Sequence, residues 1–158
     1  IYLAAGDKKE FLSLMREAKE KNTDNSQTIQ LDLALAEALY GDIAKAEALL
    51  SNIKAAELIE MGAAYIYWLE GLIASAKNDI NLAEQKLILA TNQLFEYAKH
   101  PAAWTAIAAC LVDFSLVANS AQNKAFAKEA MLKFWKIIQI HADPQKVGKI
   151  KALYNVTK

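Results

Sequence analysis

The sequence is poor in the residues that staple or interrupt a chain. Its 158 positions hold one cysteine, two prolines and five glycines. A single thiol forms no intramolecular disulfide, so a disulfide-stapled secreted scaffold is excluded. Cys110 lies inside the apolar run AWTAIAACLV and reads as a small core hydrophobe. So few turn residues argue against an all-β fold. The glycines, at 6, 41, 62, 71 and 148, never fall in a GxGxxG frame, so no phosphate-cradling loop is present. The longest uncharged apolar run, residues 101–112, is too short to span a bilayer and stops at Asp113. An excess of one charge sign is also missing, with 18 basic side chains against 18 acidic. Only one arginine, Arg16, occurs. A basic nucleic-acid binder is therefore not expected, since lysine reads bases poorly. Neither His100 nor His141 stands at metal-ligand spacing from another ligand, and no serine or cysteine has a recognisable histidine partner. No metal, no cofactor and no enzymatic activity are expected. The compartment stays open, with the cytoplasm the favoured reading and a membrane location disfavoured.

What the chain has is alanine, 30 residues of it, the strongest helix former and one that lets helices approach closely. Length and an ordinary apolar content of 54% describe one globular domain over 1–158. Apolar residues recur at helical spacing, as in Phe11, Leu14, Met15 and Ala18, or Ile66, Leu69, Ile73 and Ala76. No segment alternates with a period of two, so no strand is expected. Short breaks fall near Gly6-Asp7, Asn22 to Ser26, Gly41-Asp42, Lys54 to Glu60, Asn78-Asp79, His100-Pro101, Asn119 to Asn123 and Asp143-Pro144. Asp7, Asp42, Asp79 and Asp143 suit N-caps, and Pro144 suits a first helical position. The expectation is an all-α fold of about eight helices of 12–20 residues, with neighbours antiparallel across tight loops.

The breaks recur. Gly6-Asp7, Gly41-Asp42 and Asn78-Asp79 are separated by 35 and 37 residues, and Tyr67 to Trp104 and Gly71 to Ala108 are each 37 apart. A two-helix unit of this length cannot bury its own apolar face and stacks on the next unit. Residues 67–90, YWLEGLIASAKNDINLAEQKLILA, carry the pattern most fully: Tyr67 and Gly71, then Asn78-Asp79, then Ala83, Leu87 and Ala90.

This segment resembles the tetratricopeptide repeat. Residues 33–50 match at Ala46 and Leu50, residues 1–18 resemble the end of a further copy, and residues 104–138 begin one at Trp104 and Ala108. The family's closing proline is absent from every copy. The resemblance implies a right-handed superhelical stack of antiparallel helix pairs. Repeat boundaries would lie near 6, 41, 78 and 119, with a capping helix over 143–158. It also implies an adaptor, scaffold or signalling module that holds a protein or peptide in a concave groove. Because the sequence opens at Ile1 and inside a repeat, a longer parent chain with material ahead of Ile1 is expected.

On that pattern Tyr65, Trp68 and Leu72 face the groove, with Thr105 and Asp113 as nearby polar contacts. Their spacing of three and four puts the first three on one helix face. Trp and Tyr commonly dominate such binding energy. The competing expectation is that the stripe is core and the module is architectural, its groove filled by its own helices or by a second copy in a homodimer. The family's carboxylate-clamp members use Lys, Arg and Asn on this face. None occurs around Leu31 to Ala36, Tyr65 to Leu72 or Ala102 to Ala109, so an acidic chaperone tail is not the expected partner. From residue 124 onward eight lysines meet only Glu129 and Asp143. Val147, Ile150 and Tyr154 form an apolar stripe beside them, read as the buried side of a cap.

Overall fold

A computed structural model describes residues 8–21, 26–58 and 61–156. Gly6 and Asp7, where the first break and cap are expected, lie outside the described residues, as do positions 22–25 of the second break. The described residues form eight α-helices and no strand: α1 Lys8–Lys21, α2 Gln27–Tyr40, α3 Ile43–Leu50, α4 Gly62–Ala76, α5 Ile80–Glu96, α6 Trp104–Val117, α7 Ala121–His141 and α8 Pro144–Tyr154. Short 3-10 turns at Ala55–Glu57 and Pro101–Ala103 precede α4 and α6.

The breaks stand where the side chains put them. Asp42, Asp79 and Asp143 cap α3, α5 and α8 by accepting from the backbone N–H of Ala44, Leu82 and Gln145. Ser120 caps α7 in the same way through Asn123. The turn between α4 and α5 is a Schellman ending. Asn78 takes the left-handed φ of 62°, its N–H bonds to the Ser75 carbonyl, and the Asp79 N–H bonds to that of Ala74. α3 is shorter than its spacing suggests, only eight residues. Ser51 Oγ and Asn52 Nδ2 both donate to the Ala48 carbonyl, and side chains that satisfy the backbone this way end helices.

Each helix packs on its chain neighbour, and α2 also packs on α4, so that the first helices of successive pairs touch. The core between them is built from Leu31, Trp68, Leu69, Leu87, Leu111, Phe114, Met131 and Ile150, all essentially without exposure. The closest pair is α4 and α5, and Gly71 is the reason. A Cβ at that position would stand 2.5 Å from Leu87 Cγ and 3.3 Å from the Leu87 backbone nitrogen.

α1 is fastened to α2 by a charge pair. Arg16 Nε donates to Glu37 Oε1 at 2.8 Å and its Nη2 to Oε2 at 3.0 Å, while the Asp42 N–H also donates to Oε2 at 3.2 Å. The Arg16 guanidinium, helped by the Asp42 N–H, holds the Glu37 carboxyl below the usual range against the opposing effect of burial. A carboxyl whose pKa is lower in the folded chain stabilises the fold above its unfolded value. That contribution is lost as pH falls through the folded value. Arg16→Met is therefore expected to destabilise the chain at pH 7, because it leaves the Glu37 carboxylate without its cation. Near pH 3 the cost shrinks, since a protonated Glu37 no longer needs the cation. Urea unfolding of both chains at the two pH values checks this; an equal difference at both would contradict it.

Candidate functional site

The five side chains expected to line a groove divide into two kinds. Trp68, in the middle of α4, and Asp113, on α6, are both buried, with exposures of 0% and 5%. The Trp68 Nε1–H donates to Asp113 Oδ2 at 2.9 Å, and the Lys146 ammonium of α8 donates to Asp113 Oδ1. A buried carboxylate thus finds a cation and an N–H donor, which lets it sit in the interior. These two residues, expected on an open groove, are engaged with each other inside the fold. Trp68 belongs to the main apolar cluster, to which α2 and α6 also contribute, and α8 packs on α6 and delivers its lysine to Asp113. Three elements converge there. Leu39 and Tyr40 of α2, Ala109 and Val112 of α6, and Asp143 and Lys146 beside α8 enclose a void of only about 10 Å³. That is at the lower limit for one water molecule.

Tyr65, Leu72 and Thr105 are half-buried. The Tyr65 ring meets Trp68 edge-on, with centroids 6.1 Å apart. Burial, reinforced by the charge of Asp32, pushes its hydroxyl up to about 12. Thr105 Oγ1 lies 3.2 Å from His141 Nδ1, which ties the start of α6 to the end of α7. Cys110 is fully buried, with Thr91 Oγ1 at 3.6 Å from its sulfur, and burial pushes its thiol up. This places it as a packing residue. No three His, Cys, Asp or Glu residues among the described ones gather where a metal could be held. No helix among them is long and apolar enough to cross a membrane.

The open concavity lies elsewhere. A groove of about 750 Å³ runs between α3 and α5 across the C-terminal half of α4. Leu50, Ile73, Ala74 and Leu82 give it an apolar floor. Its walls carry the ion pairs Glu47–Lys77 and Glu70–Lys86, the second at 2.7 Å. Lys86 Nζ also sits 5.3 Å from the centre of the Tyr67 ring, a cation–π contact. α3 ends at Leu50 on one edge of this groove, whereas α5, on the other, continues for 17 residues. On α5, Leu82 and Leu89 are 39% and 40% exposed, on a side away from the buried Ala83, Leu87 and Ala90. The repeat pattern accounts for only the buried side.

No family model, no curated protein and no solved structure matches this chain.

Proposed function

We propose that the chain is a non-enzymatic interaction module, a tetratricopeptide-like stack of helix pairs that holds a segment of another protein. The observation that carries this reading is the groove between α3 and α5. Large apolar side chains stand half-exposed in a concavity with charged walls, the composition that receives an amphipathic helix or an extended apolar segment. Its opposed charges, Glu47 and Glu70 facing Lys77 and Lys86, suit a partner with mixed charge better than an acidic tail. The main buried charges favour a non-catalytic reading. Glu37 is paired with Arg16, Asp143 with Lys8, and Asp113 with Trp68 and Lys146. Each serves the fold.

A second reading, that the module is architectural and its inner face self-filled, is favoured by one observation. Trp68 is fully buried, and Asp113 is engaged by Lys146 of the chain's own α8. Both readings are separated by affinity capture with two variants, each checked by circular dichroism. A partner kept by the parent chain and by Tyr65→Ala/Leu72→Ala, but lost by Leu50→Glu/Leu82→Glu, is the expected result. Loss with the first variant and retention by the second would move the site to the inner face. No specific partner for any of the three would favour the architectural reading.

A further inference from the structure

α8 differs from the other helices in how it is held. It is 11 residues long, below the length at which an isolated helix is stable in water. Gly148 stands in its middle, exposed, and a Cβ there would meet nothing within 4 Å. Here glycine weakens the helix with no close approach to explain it. Beside Gly148, a cleft of about 270 Å³ lined by Gln139, Pro144, Val147 and Lys151 opens between α8 and α7, which touch beside it where the Lys151 ammonium lies 5.3 Å from the centre of the Trp135 ring. The side towards α6 is the opposite. Val147 and Ile150 are buried, Lys146 reaches the Asp113 carboxylate, and the Tyr154 hydroxyl donates to the Ser115 carbonyl at 2.7 Å. Ser115 lies in the last turn of α6, where carbonyls have no partner in their own helix. At the hinge, only Ala142 and Asp143 separate α7 from α8, and Asp143 is held by Lys8 of α1 at 2.5 Å.

We infer that α8 is a latch: it occupies in cis a site on α6 built for a lysine-bearing amphipathic helix, and its release opens that site to a helix of the same chemistry from another protein. The site is defined by what α8 satisfies. Asp113 is a buried carboxylate that requires a cation. Ala109 and Val112 are small enough to admit a helix closely. The Ser115 carbonyl, two residues beyond Asp113, accepts one hydroxyl or N–H donor. An incoming helix therefore needs a lysine, apolar residues one and four positions later, and a donor eight positions later, the spacing of Lys146, Val147, Ile150 and Tyr154. This inference is independent of the α3–α5 groove and fails or stands separately from it.

The test uses the full chain and hydrogen exchange read by mass spectrometry. α8 amides are expected to exchange at least about tenfold faster than those of α5, through a local opening that leaves the rest folded. Gly148→Ala is expected to slow α8 exchange about fivefold, the cost of a mid-helix glycine. Lys146→Met should speed it. A fluorescent synthetic peptide of residues 143–156 then serves as the trans probe. It is expected to bind the Lys146→Met chain best, the parent less, and the Gly148→Ala chain least, whereas a peptide with Lys146→Met should bind none of them. Exchange of α8 no faster than that of α5 would overturn the inference whether or not the Lys146 variant folds. So would equal binding of the two peptides. A concentration-dependent dimer of the Lys146→Met chain, dissolved by the free peptide, would put a second copy's α8 in the site and overturn the assignment to a foreign helix.

Discussion

Trp68→Ala is expected to destabilise the chain by about 3–5 kcal/mol, the range for emptying a large aromatic site in a close-packed core. The side chain has no exposure and belongs to the main apolar cluster, to which α2, α4 and α6 all contribute. The truncation also removes one of the two donors on a buried carboxylate. Trp68→Phe separates the two contributions. It keeps most of the volume and loses the N–H, and it is expected to cost about 1–3 kcal/mol, the range for leaving a buried acceptor short of a partner. Asp113 still has Lys146 in that variant, which favours the lower half of the range. Urea denaturation gives both numbers. A Trp68→Ala cost below about 1 kcal/mol would mean that the indole is not in the core.

Gly71→Val should be nearly as damaging, for the opposite reason. The new side chain would have to enter the space of Leu87, whose Cγ and Cδ2 stand 2.5 Å and 2.9 Å from an ideal Cβ at position 71. Leu87 is fully buried and cannot swing into solvent. α4 and α5 must then separate, at an overpacking cost of about 2–3 kcal/mol, only partly offset by the poor helix propensity of the lost glycine. Gly71→Ala should cost about half as much. Combining Gly71→Ala with Leu87→Ala tests the cause: the pair is expected to cost less than the sum of the two single variants, because the smaller partner makes room. Strict additivity would contradict the close approach.

Most of the fold was legible because its punctuation is local. Asp42, Asp79 and Asp143 each cap a helix from within two or three residues, and Asn78 supplies the left-handed residue beside its own helix. The end of α3 was less legible. It depends on Ser51 and Asn52 turning back onto Ala48, a choice those side chains make in competition with solvent. The candidate site was legible only in part. Spacing placed Tyr65, Trp68 and Leu72 on one face, and the structure puts Trp68 beside Asp113 as two of the five named residues. Whether that face is open depends on how the other helices pack around it. The reach of Lys146 back across 33 positions to Asp113 is a tertiary fact with no local sign. The groove on α5 was hidden for a related reason. Leu82 and Leu89 lie off the buried side of α5, and whether another helix covers them is a tertiary fact that the local pattern does not carry.

Trp68 is closed inside the fold, with its indole N–H held by Asp113. This is tested most directly by hydrogen exchange of the tryptophan indole N–H groups, followed by NMR. The Trp68 resonance is identified by its loss in Trp68→Phe. Its indole N–H is expected to exchange at least about a hundredfold more slowly than that of a free indole, as a buried, hydrogen-bonded group does. Exchange as fast as free indole would contradict the account. It would return Tyr65, Trp68 and Leu72 to an open groove on the inner face.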